Sequence, residues 1–197
     1  MFENKNQELT PISHLGEFGL IKYLTENFHI ENFSTELAIG DDAAVINPDG
    51  GKIVISTDMF VEGVDFNLGY VPLKHLGYKV GVAGISDIVA MNATPTQIMV
   101  SIAVSNRFPV EALVEIYAGI SQVCKIYKVD LIGGDTTSSL SGLVLNVTSI
   151  GISKEDVIKR SGAKNNDLLV VTGDLGGAYM GLQVLEREHH VYLKNPN

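Results

Sequence analysis

The chain is organised around one stretch, Ala38-Ile39-Gly40-Asp41-Asp42-Ala43-Ala44-Val45-Ile46, which sets two adjacent carboxylates after a glycine in an otherwise apolar run. Its second half, Ala43 to Ile46, is typical of a β-strand. Two neighbouring acids beside a strand repel each other unless a cation or hydrogen-bond donors neutralise them. The stretch therefore raises the question of what partner these acids bind.

A second strand is predicted from Ile53 to Ser56. The linker Asn47-Pro48-Asp49-Gly50-Gly51 has turn composition, because proline fixes φ and glycine accepts positive φ. The two strands are therefore predicted to form a hairpin. Such a hairpin would bring Asp58, which follows the second strand, to the same end as Asp41 and Asp42.

Hydrophobic periodicity predicts the other elements of the first domain. They are an opening helix from Phe18, a helix from Leu73 to Asn92 after Pro72, a strand from Gln97 to Val104, a helix from Pro109 to Tyr127, a strand ending at Leu131-Ile132, a polar turn from Gly133 to Thr137, and a strand from Leu143 to Ile152. This order predicts an α+β fold, with a mostly antiparallel sheet that carries its helices on one face.

A polar stretch from Ser153 to Asp167 predicts a domain boundary. Residues 1–152 are expected to form an N-terminal domain. Residues 153–197 are expected to be a linker and the incomplete beginning of a second α/β domain. That second part contains a predicted strand from Leu168 to Thr172 and a predicted helix from Ala178 to about Arg187.

The formal net charge of −9 over 197 residues argues against nucleic acid or an anionic membrane as the main partner. The single cysteine, Cys124, cannot form an internal disulfide, which favours a reducing cytoplasm. The longest apolar run, Val80 to Met91, is interrupted by glycines, Ser86 and Asp87, so no membrane span is expected.

Acids also occur at three further places in the predicted fold, at Asp58, Asp87 and Asp135. Taken singly, each also fits a helix cap, a turn former or a structural acid with backbone donors. Taken with Asp42, they form an all-oxygen set, which is the kind of ligand that Mg²⁺ prefers when it also holds phosphates. Asp87 lies on an apolar helix stripe and is expected to be buried.

Several blocks occur in the order found in thiamine-monophosphate kinases, and the chain resembles that family from residue 15 onward. The blocks are Gly16-Glu17-Phe18-Gly19-Leu20-Ile21, Gly40-Asp41-Asp42-Ala43, Ser56-Thr57-Asp58-Met59, Val61-Glu62-Gly63-Val64-Asp65-Phe66, Ser86-Asp87-Ile88, Leu131-Ile132-Gly133-Gly134-Asp135-Thr136-Thr137 and Arg160-Ser161-Gly162-Ala163-Lys164. The family is related to aminoimidazole ribonucleotide synthetase and selenophosphate synthetase.

The resemblance implies transfer of the γ-phosphoryl group of ATP to thiamine monophosphate, which gives thiamine diphosphate and ADP. It also implies roles for individual residues. The implied magnesium ligands are Asp42, Ser56, Thr57, Asp58, Asp87 and Asp135; the implied ATP contacts are Tyr117, Gly134, Asp135 and Arg160; the implied thiamine monophosphate contact is Asp65. Family members often have histidine at the position of Asp65.

The resemblance further implies a homodimer formed through the sheets of the N-terminal domains. The family is considerably longer than this chain, so a truncated enzyme with little or no activity of its own is expected. Two alternatives remain open. One is another ATP-dependent synthetase of the same superfamily, and the other is a nucleotide-binding or dimerisation module without catalysis.

Overall fold

The computed structural model describes residues 10–39, 45–46, 48, 50–159 and 161–194. A 3-10 turn at Ile12–His14 precedes the regular elements. These are α1 (Gly16–Thr25), β1 (Thr35–Leu37), β2 (Val45–Ile46), β3 (Lys52–Val61), α2 (Leu73–Ala90), β4 (Thr94–Val104), α3 (Val110–Tyr127), β5 (Asp130–Ser138), β6 (Val144–Ser153) and α4 (Gly177–Lys194).

The main sheet of the described residues has the strand order β3-β6-β4-β5. Strand β6 pairs antiparallel with both β3 and β4, whereas β4 and β5 are parallel. A parallel pair needs a crossover connection, and α3 supplies it between β4 and β5. The predicted α+β class with a mostly antiparallel sheet is therefore confirmed.

The helices cover one face of this sheet. Helix α2 packs on β3, β4 and β6, and α3 packs on α2. Alternate residues of β4, among them Ile98 and Ile102, are buried under the helices. On the opposite face, the β3 side chains of Ile53, Ile55 and Met59 are 52%, 64% and 62% exposed.

The predicted hairpin is wrong. Strand β2 pairs with β1, with Thr35 opposite Ile46, and the two form a separate small sheet. Strand β3 instead pairs over its full length with β6, from Lys52 opposite Ser153 to Val61 opposite Val144. A ten-residue ladder with a distant strand outweighs the short pairing that the nearby turn composition indicates.

Two other predicted boundaries are also wrong. Thr57 and Asp58 lie inside β3 rather than after it, because the strand continues to Val61. The predicted polar turn from Gly133 to Thr137 is part of β5, which runs on beside Met99 to Ala103 of β4. The backbone hydrogen bonds of that ladder outweigh the turn preference of its two glycines.

The segment from Leu168 to Thr172 is in no strand of the structure. Its four apolar side chains, Leu168 to Val171, are between 53% and 96% exposed, so nothing in the described part of the chain pairs with or covers them. Helix α4 begins close to the predicted residue but continues to Lys194. No helix within the described ranges is both long enough and apolar enough to cross a membrane.

Candidate functional site

Three of the predicted metal ligands lie together where α2 crosses β3. Ser56 and Asp58 are two residues apart on β3 and therefore point to the same face of the strand. The hydroxyl of Ser56 donates a hydrogen bond to Oδ2 of Asp87 on α2, at 2.7 Å. Asp87 is exposed, not buried as the sequence predicted, because the buried stripe of α2 runs through Gly84 and Ile88 and Asp87 lies beside it.

The carboxylate of Asp58 is half-buried beside that of Asp87. Burial and the negative charge of Asp87 together raise the pKa of Asp58. Among the described residues, Oδ2 of Asp58 is a buried oxygen without a hydrogen-bond partner. A buried polar atom normally has a hydrogen-bond donor, a water or an ion as its partner, so this oxygen is a candidate cation ligand.

The close approach of α2 to the sheet depends on Gly84. A Cβ atom at Gly84 would lie 2.8 Å from Cγ1 of Val147 and 2.9 Å from Oγ of Ser149. Ser149 stands opposite Ser56 in the β3–β6 ladder, and its hydroxyl is also buried without a partner in the described structure. Gly84 thus lets α2 lie close enough to bring Asp87, three residues later, over β3.

This donor set fits a hard divalent cation. It combines the carboxylates of Asp58 and Asp87 with the hydroxyl of Ser56, which donates to Asp87. One oxygen of Asp58 is buried without a partner among the described residues. Magnesium favours such oxygen ligands. Within the described residues, however, no three His, Cys, Asp or Glu side chains form a metal-binding group, so a bound ion would need further ligands.

Thr57 lies on the opposite face of β3 from this pair. Its hydroxyl is 3.1 Å from the hydroxyl of Thr148, and Nδ2 of Asn146 donates to it at 3.1 Å. Strand alternation therefore keeps the side chain of Thr57 away from Asp58 and Asp87.

A cavity of about 720 Å³ lies at the β5 edge of the sheet, and Asp135 is the one predicted metal ligand among the described residues that borders it. Tyr117, Gly134 and Asp135, the three described residues with implied ATP contacts, all border it. Most of the remaining wall is apolar: Phe18, Ile21, Leu24, Ile39, Ile46, Met99, Val100, Leu131, Ile132 and Ile150. The structure thus brings Tyr117 of α3 to the same cavity as the adjacent residues Gly134 and Asp135 of β5.

Tyr117 forms a buried part of this wall. It is 8% exposed, and its ring meets Phe28 edge-on with 6.4 Å between centroids. Burial raises the pKa of Tyr117 to about 12, so the phenol stays neutral at physiological pH.

Asp135 is exposed on β5, and its Oδ1 accepts the N–H of Thr136 at 2.9 Å. Along the sheet, Asp135 stands opposite Ser101, Ser101 opposite Asn146, and Asn146 opposite Met59. Three strand spacings, about 14 Å, therefore separate Asp135 from β3. The structure does not bring Asp135 to the Asp58–Asp87 pair.

Asp42 and Arg160 lie outside the described residues. Ile39 and Ile46, which flank the 40–44 segment, both line the cavity. Ile158, two residues before Arg160, donates its N–H to the carbonyl of Met91 at 3.2 Å, just past the end of α2. The linker is thus fixed to the helix that carries Asp87.

Asp65 closes the turn that follows β3. Its Oδ2 accepts the N–H of Val61 at 2.8 Å, and its carbonyl accepts a hydrogen bond from Nζ of Lys79 at 2.8 Å. This geometry gives Asp65 a structural role in the turn, whatever its role toward a substrate.

Sequence reasoning missed the apolar cavity wall and a buried acid, Asp130. The spacing of Phe18, Ile21 and Leu24 predicted a helix but did not show that this face borders a cavity. Asp130 is an acid at the first position of a buried strand, and it is only 1% exposed. An acid next to the apolar residues of a strand is a sequence signal by which Asp130 could have been found.

Comparison with known proteins identifies the family. The thiamine-monophosphate kinase of Bacillus subtilis (strain 168) is 39% identical over 176 residues, which are 88% of this chain and 54% of the relative. The crystal structure of thiamine-monophosphate kinase from Stenotrophomonas maltophilia K279a aligns with a TM-score of 0.75 at 27% identity, covering 88% of this chain and 54% of that one. AaThiL complexed with AMPPCP and TMP aligns with a TM-score of 0.67 at 28% identity, covering 92% and 56%.

The chain therefore spans about half the length of the relatives it matches. The family model of the AIR synthase related protein, N-terminal domain, matches residues 40–153. That range is more than half of the chain and contains the Asp58–Asp87 pair together with the β4 and β5 walls of the cavity. The chain belongs to the AIR synthase related protein family, through the N-terminal domain of that family.

Proposed function

We propose that this chain carries the ATP- and magnesium-binding part of an enzyme that phosphorylates thiamine monophosphate to thiamine diphosphate. The observation that carries the proposal is the cavity, since it gathers Tyr117 from α3 with Gly134 and Asp135 from β5. The similarity to thiamine-monophosphate kinases, one of them solved with AMPPCP and TMP, supports the same activity.

The cavity has the size and lining that a nucleotide requires. Its volume of about 720 Å³ is within the range of small-molecule sites, and its walls are mainly apolar. In the proposal, the purine base packs against the apolar wall beside Tyr117. Gly134 and Asp135 then contact the polar part of the nucleotide.

The proposed magnesium ligands divide into groups. Ser56 and Asp58, on one face of β3, and Asp87, on the helix that crosses that face, would hold one ion. Oxygens that share an ion lie within about 4 Å of each other, because each Mg–O distance is about 2.1 Å. Asp135, about 14 Å from β3, and Thr57, on the opposite face, would therefore act elsewhere in the site. Asp42 is proposed as a further ligand.

The chemistry requires alignment and charge neutralisation rather than a general base, because the acceptor is already a phosphate oxyanion. When bound, magnesium would neutralise the phosphate oxygens and favour in-line transfer. The residues of the chain would bind and orient: Asp58 and Asp87 would hold the ion, Tyr117 and Gly134 would hold the nucleotide, and Arg160 would pair with a phosphate. Asp65 is proposed to lie near thiamine monophosphate.

The wider organisation belongs to the same proposal. Residues 1–152 are the ATP-binding and dimerisation domain, and residues 153–197 are a linker and the beginning of a second domain. A homodimer would cover the open sheet face, where Ile53, Ile55 and Met59 are exposed. The cytoplasm, where ATP is abundant and cysteine stays reduced, is the proposed location.

Nucleotide binding with and without magnesium tests the proposal. The chain is titrated with AMPPCP in an excess of Mg²⁺ or in EDTA. Asp87→Asn should keep the melting temperature yet lose most of the magnesium dependence. Glu115→Gln, on the exposed surface of α3, is the matched control.

Incubation with ATP, Mg²⁺ and thiamine monophosphate, followed by chromatography, tests the reaction itself. Thiamine diphosphate supports the kinase assignment. AMPPCP binding without any turnover favours the non-catalytic module instead. An Asp87→Asn variant with unchanged magnesium dependence would refute the assignment of Asp87 as a ligand.

A further inference from the structure

Asp130, at the start of β5, is a buried carboxylate outside the proposed catalytic set. It is 1% exposed and accepts hydrogen bonds from the N–H of Glu31 at 2.6 Å, the N–H of Asn32 at 3.1 Å and the hydroxyl of Thr35 at 2.6 Å. Glu31 and Asn32 belong to the segment that leads into β1, and Thr35 is the first residue of that strand. A buried carboxyl group costs stability unless its hydrogen bonds are well formed.

Gln97, at the start of β4, completes the same network. Its side chain is fully buried and stands beside Asp130 in the β4–β5 ladder. Its Nε2 donates to the hydroxyls of Ser34 at 2.8 Å and Thr35 at 2.9 Å, and its Oε1 accepts the hydroxyl of Thr96 at 2.7 Å. Thr35 thus receives a hydrogen bond from Gln97 and donates one to Asp130.

This network connects two walls of the cavity. Thr35 stands directly opposite Ile46 in the β1–β2 ladder, and Ile46 borders the cavity. On the other side, Leu131 follows Asp130 in the chain and borders the cavity as well. The hydroxyl of Thr35 is therefore a short link between the wall formed by β2 and the wall formed by β5.

We propose that Asp130, Thr35 and Gln97 are positioning residues that hold the β1–β2 sheet against β5 and so set the shape of the nucleotide cavity. The inference rests on the proposed function, because it assigns the cavity to ATP. The three residues do not border the cavity, so they act through Ile39, Ile46 and Leu131. The 40–44 segment with Asp42 leaves from this same small sheet.

Thr35 offers a matched pair of variants. Thr35→Val keeps the shape of the side chain but removes both hydrogen bonds of the hydroxyl. Thr35→Ser keeps the hydroxyl and removes only a methyl group. We expect Thr35→Val to weaken AMPPCP binding about 10- to 100-fold, the factor that corresponds to losing a hydrogen bond to a charged group. Thr35→Ser should bind within about threefold of the unchanged chain.

Hydrogen exchange supplies a readout that does not depend on nucleotide. In Thr35→Val, the amides of residues 35–39 and 45–46 should exchange faster, while those of β6 remain protected. Ile120→Val, in the α3 core and away from the cavity, lowers stability without touching the network. It controls for a general loss of stability, and its AMPPCP affinity should be unchanged.

The outcomes separate the two proposals. Weakened AMPPCP binding with faster exchange confined to the small sheet supports the positioning role. Equal affinity in Thr35→Val and Thr35→Ser, or weakening of the same size in Ile120→Val, overturns it. If the unchanged chain does not bind AMPPCP, the proposed function fails. The hydrogen-exchange measurement still tests the network in that case, because unchanged exchange in Thr35→Val would refute the link between the network and the small sheet.

Discussion

Replacing Gly134 by alanine should separate β4 from β5. A Cβ atom at Gly134 would lie 1.8 Å from the carbonyl oxygen of Val100 and 2.6 Å from its carbonyl carbon. Ordinary contact begins at 3.4 Å, so the shortfall is about 1.6 Å. The obstacle is backbone inside a parallel ladder, which cannot move aside as a flexible side chain can.

We expect a cost at or above the upper end of the overpacking range, about 3 kcal/mol. For a chain of this size, that corresponds to a fall in melting temperature of roughly 6 to 12 °C. AMPPCP binding should weaken as well, because Gly134 borders the cavity. Thermal melting by circular dichroism and isothermal titration measure the two effects.

Gly133→Ala is the matched control, since it adds the same methyl group one residue earlier in the same strand. The atom nearest to a Cβ there is Cγ of Met99, at 4.0 Å, so the methyl group fits. Its melting temperature should stay within about 2 °C of the unchanged chain. Equal stability of the two variants would refute the close approach of β4 and β5 at Gly134.

Two further predictions concern helix packing and pH. Gly119→Ala would place a Cβ 2.1 Å from the carbonyl oxygen of Lys74 and should lower the melting temperature by several degrees. Gly181→Ala on α4 is the control, because a Cβ there would meet nothing within 4 Å and the melting temperature should not change. Similar losses in both variants would contradict the glycine contact between α2 and α3. The carboxylate of Glu111 accepts hydrogen bonds from the backbone N–H of Glu111 and from Thr10, and these lower the pKa of Glu111. The stabilisation by this carboxylate is therefore present above about pH 4.5 and is lost as the pH falls through the lowered pKa. Glu111→Gln should flatten that acid-side loss in melts taken from pH 6 to pH 3, and an unchanged slope would show that the contact with Thr10 does not affect stability.

The elements that the sequence predicted well are those whose signals are local. Helices α2 and α3 each follow a proline and repeat apolar residues at helical spacing, and both are present. Strand β5 was misread because Gly133 and Gly134 have turn composition. What keeps these glycines in a strand is the neighbouring backbone of β4, which local sequence does not describe.

The candidate site shows the same difference between features that local sequence predicts and features that depend on distant strands. Oxygen-rich residues were visible in the sequence, but their distances depend on strand order. The structure joins Ser56 and Asp87 because α2 runs back over β3, and it separates Asp135 because β5 is at the opposite edge. The apolar cavity wall had no sequence signal of its own, since its residues also read as ordinary core.

The strand order has a consequence for how the chain is made. Strand β6 lies between β3 and β4, yet it follows β3 by about 80 residues in the chain. At ribosomal speeds of about 5 to 20 residues per second, β3 is synthesised roughly 4 to 16 seconds before its partner. Helices α2 and α3 can form within microseconds during that interval, so the central strand is the last to enter the sheet. A nascent chain that ends before Val144 therefore exposes β3 as an unpaired strand, and it is during this interval that we expect aggregation or chaperone binding.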